Sequence, residues 1–175
     1  VVEEARSAVS KPLLSERATV SWVPDHALEL SFTETSASVV TRAWDALLTA
    51  GLPSQAEHKS MTNAPHLTLV AAAPIESSVL RLARTTVLPL LPCELPVVGL
   101  VVFGTGARVT LAYLIEPPPA LVAGVADLRA AVPSVRHPVW TPHVTLARRV
   151  PRQLVERLPY KQEGQGFESL APPML

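Results

Sequence analysis

A ten-residue stretch occurs twice in this chain, and the repeat limits the fold more than any other feature. Residues 65–74 read PHLTLVAAAP and residues 142–151 read PHVTLARRVP. Pro, His, Thr, Leu and the closing Pro recur at the same places. On a strand, residues i and i+2 share a face and lie roughly 6.6 Å apart. His66 and Thr68 therefore project to one side, with Leu67 and Leu69 behind them. His143 and Thr145 do the same, with Val144 and Leu146 behind. Each copy offers an imidazole and a hydroxyl forward and an apolar anchor backward. Two such copies predict two similar halves that face each other across a shared cavity.

The segments between the copies suit that arrangement. Leu28, Leu30 and Phe32 alternate with Glu29, Ser31 and Thr33, which predicts a strand over Ala27–Thr33. Val40, Ala43, Trp44, Leu47 and Leu48 follow helical spacing, so a helix is expected over Ser36–Ala50, stopped by Gly51 and Pro53. A polar loop, Pro53–Ala64, carries His58 and leads into the first copy, a strand over Pro65–Ala71. Val79, Leu82, Ala83 and Val87 predict a helix over Glu76–Leu88. Residues 95–103 and 107–115 read as a hairpin turned at Gly104-Thr105-Gly106, and the run LPVVGLVVF reads as a strand buried on both faces. A prolyl start at Pro117–Pro119 opens a helix over Ala120–Val132, with Leu121, Val125, Leu128 and Val132 on one face. The second copy is a strand over Trp140–Val150, followed by a helix at Arg152–Leu158 and a strand at Gln165–Leu170. Hairpin-linked strands mixed with helices, without regular βαβ alternation, make an α+β fold. Its expected form is two pseudo-symmetric antiparallel sheets with helices on their outer faces. Residues 27–175 form this single domain. Residues 1–26 form an N-terminal extension, with a helix or arm through Arg17 and a strand at Ala18–Val23.

Composition narrows the function. Apolar residues make up 48% of the chain and charged residues 17%, a globular balance. Fifteen basic and fifteen acidic residues cancel, which argues against broad binding of a DNA duplex. The longest apolar run, Leu95–Phe103, is too short to span a membrane, and Glu3 and Glu4 interrupt any apolar leader. A lone cysteine, Cys93, predicts a reducing, cytoplasmic setting and a structural thiol. A monomer is expected. Charge is uneven locally: Arg129, Arg136, Arg148, Arg149, Arg152, Arg157 and Lys161 face only Glu156 within their stretch. That pattern reads either as a solvated face or as an anion site around the second copy.

Two histidines with two threonines suit the cleavage of a phosphodiester. A neutral imidazole takes a proton from the attacking oxygen, and a protonated one gives a proton to the departing alkoxide. Both forms coexist near pH 7 because histidine titrates near 6.5. Threonine hydroxyls hold the non-bridging phosphate oxygens. No cofactor is required, and the sequence does not say which histidine is the base. A duplicated structural unit without chemistry is one alternative. Zinc is another, but no Asp, Glu or Cys lies within either copy, and zinc takes three or four protein ligands. Neither a G-x-S-x-G elbow nor a P-loop is present.

The paired His-x-Thr motifs resemble those of the 2H phosphoesterase superfamily, and W-T-P-H-V-T-L-A-R-R at residues 140–149 resembles its 2′-5′ RNA ligase (cyclic phosphodiesterase) branch. The resemblance runs from about Ala27 to Leu170. It implies a bilobal α+β fold around a central cleft, with His66 and His143 as acid–base pair and Thr68 and Thr145 as phosphate-binding hydroxyls. It implies a phosphate contact from Arg148, whereas strict alternation from His143 favours Arg149; a bulge near Ala147 would favour Arg148. Many relatives carry an aromatic residue soon after the first motif. Here Val70-Ala71-Ala72-Ala73 stands there, leaving Trp140 or Tyr113 as stacking candidates. The implied substrate is a nucleotide or RNA end with a cyclic or 2′-linked phosphate, hydrolysed or ligated without metal. A binding module without catalysis, on the same fold, is the alternative.

Overall fold

Thr33 decides where the first helix begins. Its hydroxyl accepts from the Ser36 amide at 3.3 Å, satisfying one free donor of the opening turn. Helix α1 therefore runs Glu34–Thr49, two residues earlier than its apolar spacing alone suggests. It ends at Gly51, whose φ of +69° is a left-handed conformation that a side chain disfavours. Val40 and Trp44 are buried as expected, whereas Leu48 is exposed.

The computed structural model describes residues 26–60 and 63–156. The elements expected within residues 1–25 and at Gln165–Leu170, with Arg157 and Lys161, lie outside the described residues. In chain order the elements are β1 (His26–Ser31), α1, β2 (His66–Ala72), α2 (Ser77–Thr86), β3 (Val97–Phe103), β4 (Arg108–Ile115), α3 (Pro119–Ala130), β5 (His143–Pro151) and α4 (Arg152–Glu156). A short 3₁₀ turn, Gln55–Glu57, interrupts the loop before β2. β1 pairs antiparallel with β2, and β3, β4 and β5 form an antiparallel sheet in that order. This is an α+β fold of two antiparallel sheets.

The halves are interlocked. α1 lies between β1 and β2 in sequence but packs against β5. α3 lies between β4 and β5 but packs against β2, and β2 and β5 pass close to each other. The core joins both motif strands to both helices: Val40, Leu67, Val70, Val125, Leu128 and Val144 are essentially sealed from solvent. Each such side chain contributes on the order of 1.5–3 kcal/mol of burial. α3 also crosses the end of α2 at very short range, because a Cβ on Gly124 would lie 2.8 Å from the Thr86 carbonyl oxygen.

One expectation fails in β3. Val98, Leu100 and Val102 are 49%, 56% and 38% exposed, so the strand is not buried on both faces. Among the described residues β3 is an edge strand, and an apolar run alone does not distinguish an edge from a centre. A concavity of about 690 Å³ lies beside it, lined by Val98, Pro117, Val122 and Ala126. It contains neither histidine motif, so its size says nothing about the chemistry.

Candidate active site

Both motif strands bulge at the same repeat position. In the first sheet Val70 pairs with Leu28 and Thr68 with Glu29, leaving Leu69 as the extra residue. In the second, Ala147 pairs with Leu111 and Thr145 with Ala112, leaving Leu146 extra. A bulge of one residue resets the alternation of faces. Leu69 and Val70 are therefore both buried, as are Leu146 and Ala147. The next residue in β5, Arg148, returns to the side of His143 and Thr145. A second irregularity follows at Arg149, which has φ +58° and an exposed side chain, and whose carbonyl accepts from Arg108 Nη1 at 3.2 Å.

The two imidazoles are held alike. His66 Nδ1 lies 2.8 Å from the Ala64 carbonyl oxygen, and His143 Nδ1 lies 2.7 Å from that of Thr141. A carbonyl only accepts, so Nδ1 carries the hydrogen in both rings and Nε2 is the nitrogen outside that bond. Their surroundings differ. His66 is a third exposed, and its Nε2 lies 3.5 Å from Glu29 Oε1. The same oxygen accepts from the Thr68 hydroxyl at 3.3 Å. His143 is more buried, and burial pushes its imidazole below the ordinary histidine value; its bond to Thr141 opposes this, while His137, His66 and Arg148 add to the lowering. The two rings are thus near enough for a proton on one to disfavour a proton on the other. Burial also lowers the Arg148 guanidinium, with the Glu29 carboxylate opposing.

Two indoles brace the site from the opposite halves. Trp44 on α1 donates Nε1–H to the Thr145 carbonyl at 3.0 Å. Trp140, just before β5, donates to the Thr68 carbonyl at 2.9 Å. Each motif threonine thus has its backbone held by a tryptophan from the other half. Trp140 serves as such a brace and packs on the core.

Other candidates are placed elsewhere. Tyr113 pairs with Val144, so it lies on the face of β4 opposite the imidazoles, and burial raises its phenol. Phe103 was not singled out by the sequence, yet its ring lies 4.5 Å from that of His143 at a tilt of 52°. It shares a face of β3 with Gly99 and Val101; Phe103 itself pairs with Thr110, and Gly99 pairs with Leu114, the β4 neighbour of His143. Arg129 donates to the carbonyls of Leu69 and His137, and Arg152 to those of Gly106 and Gly104, so these cations tie the chain together. Burial raises the Cys93 thiol, as befits a packing role. Among the described residues no three His, Cys, Asp or Glu side chains converge as metal ligands. None of the described helices is long and apolar enough to cross a membrane.

Comparison with known proteins agrees with this geometry. No curated protein matches the chain. A family model described as the 2′-5′ RNA ligase superfamily matches residues 36–164, which include both histidine motifs and most of the chain. With its duplicated, bulged His-x-Thr strands, the protein belongs to the 2′-5′ RNA ligase superfamily of 2H phosphoesterases.

Proposed function

We propose that this protein is a metal-independent phosphoesterase acting on a cyclic or 2′-linked phosphodiester of a nucleotide or RNA end. The observation that carries the reading is the matched pair of imidazoles, each fixed through Nδ1 with Nε2 left for proton transfer. His143 is the better base, since burial keeps it neutral at pH 7. It removes a proton from water, and the water oxygen attacks phosphorus. The bond from phosphorus to one ribose oxygen breaks, and His66 gives its Nε2 proton to that oxygen. The ring of a 2′,3′-cyclic phosphate opens to a monoester, leaving His143 protonated and His66 neutral. Exchange with solvent resets both. A ribose or terminal hydroxyl in place of water gives ligation through the same steps, and the cyclic phosphate supplies its own activation.

Thr145 donates its hydroxyl hydrogen to a non-bridging oxygen, Thr68 turns its own from Glu29 to another, and Arg148 balances their charge. Phe103, beside His143, supplies an aromatic surface at the site although the residues after the first motif lack one. The test is turnover of nucleoside 2′,3′-cyclic phosphates, with and without EDTA, by the wild type and by His66→Ala. Turnover that survives EDTA and disappears in the variant is expected. Binding without turnover across the four nucleosides would favour a binding module, and loss of turnover with EDTA would favour a metal enzyme.

A further inference from the structure

The two halves are built alike but differ in charge at two matching places. Opposite Thr68 in the first sheet stands Glu29, and opposite Thr145 in the second stands Ala112. Three residues after Thr68 comes Ala71, and three after Thr145 comes Arg148. Each half thus puts one charged residue where the other has alanine, and the two charges are opposite. Glu29 and Arg148 are near enough for the carboxylate to act on the guanidinium.

The carboxylate does not serve packing. Glu29 is 39% exposed, and its Oε1 faces His66 Nε2 at 3.5 Å and Thr68 Oγ1 at 3.3 Å. These are the two groups of the first half that meet the phosphate in the function proposed above, on which this inference rests. A negative charge against the seat of an anion weakens binding of every anion, but not equally. Coulomb energy scales with the charge of the ligand. A cyclic phosphodiester carries one negative charge, and a phosphomonoester carries nearly two at pH 7. With one imidazole protonated, Arg148 positive and Glu29 negative, the site bears one net positive charge. That balances the diester and leaves the monoester in excess.

We propose that Glu29 is a specificity-determining residue that makes the site favour singly charged phosphodiesters over doubly charged phosphomonoesters, and so promotes release of the monoester product.

Glu29→Gln keeps the shape of the side chain and removes its charge. Three quantities are measured at pH 7.5: KM for a nucleoside 2′,3′-cyclic phosphate, Ki for the 2′- and 3′-monophosphates of that nucleoside, and calorimetric Kd for the same monophosphates. The factor for the dianion should be about the square of the factor for the monoanion, for instance about threefold in KM and about tenfold in Ki and Kd. Equal factors for both ligands, or no change in either, overturn the proposal. Glu29→Asp retains the charge and should retain the discrimination; if it behaves as the Gln variant does, charge is not the cause. Glu29→Ser replaces the Gln variant should that one fail to fold. If the wild type turns over no cyclic phosphate, the functional reading fails separately. Calorimetry with the unconverted cyclic phosphate and the monophosphate then still reads the discrimination.

Discussion

Replacing Trp140 by Phe tests whether the halves hold each other's motifs in place. The substitution keeps an aromatic ring and deletes the N–H that reaches the Thr68 carbonyl at 2.9 Å. That bond is partly buried, so the carbonyl loses a partner that water replaces poorly. Its loss should cost about 1–2 kcal/mol of folding free energy. Trp44→Phe removes the matching bond to Thr145 at 3.0 Å, at a residue only 4% exposed. The smaller ring adds a cavity there, so the total should reach about 2–3 kcal/mol. The consequence for rate is larger than for stability. Each carbonyl belongs to a threonine whose hydroxyl meets phosphate in the proposed function, and a displacement near 1 Å can lower a rate by about 100-fold. We expect kcat to fall between tenfold and 100-fold in either variant, with a smaller rise in KM. Urea unfolding followed by circular dichroism gives the stability, since fluorescence would report the lost indole itself. Steady-state turnover of a 2′,3′-cyclic phosphate gives the rate. A variant that loses stability but keeps kcat would show that the indoles only pack. Unchanged stability would show that the bonds do not form in solution.

Three further outcomes are expected. The unfolded chain binds a proton at His143 near pH 6.5, while the folded protein does not until lower pH, so the unfolded state holds more protons in that window. Stability should therefore fall as pH drops from 6.5 to the lowered value, by up to about 1.4 kcal/mol per pH unit, and His143→Gln should remove that slope in chemical denaturation. The same lowering sets the acidic limb of kcat/KM below pH 6.5 within a bell-shaped profile; a profile flat from pH 5 to 9 would refute two-histidine catalysis. Gly124→Ala puts a Cβ 2.8 Å from the Thr86 carbonyl and should cost about 1–3 kcal/mol despite the better helix propensity of alanine, as thermal unfolding will read.

The apolar spacing of α3 is an instructive success. Leu121, Val125, Leu128 and Val132 read as one face and are all buried. Local periodicity suffices when a single face meets a single core. The same reasoning misplaced β3, because its apolar residues say nothing about how many neighbours a strand has. It also placed Leu48 on the buried stripe of α1, although the helix packs across to β5 and leaves that side open.

The sequence by itself determined the duplication, the His-x-Thr pairs and the apolar anchors behind them, because strand alternation is a property of neighbouring residues. It also framed the choice between Arg148 and Arg149 as a question about one bulge. Tertiary structure alone set which of the two shares the face of His143 and Thr145, since a bulge is a mismatch between two strands, and it placed both bulges at the same repeat position. It alone brought Glu29 to His66, Phe103 to His143, and each tryptophan to the opposite motif. Those contacts join residues far apart in the chain, and no periodicity within either segment encodes the distance between them.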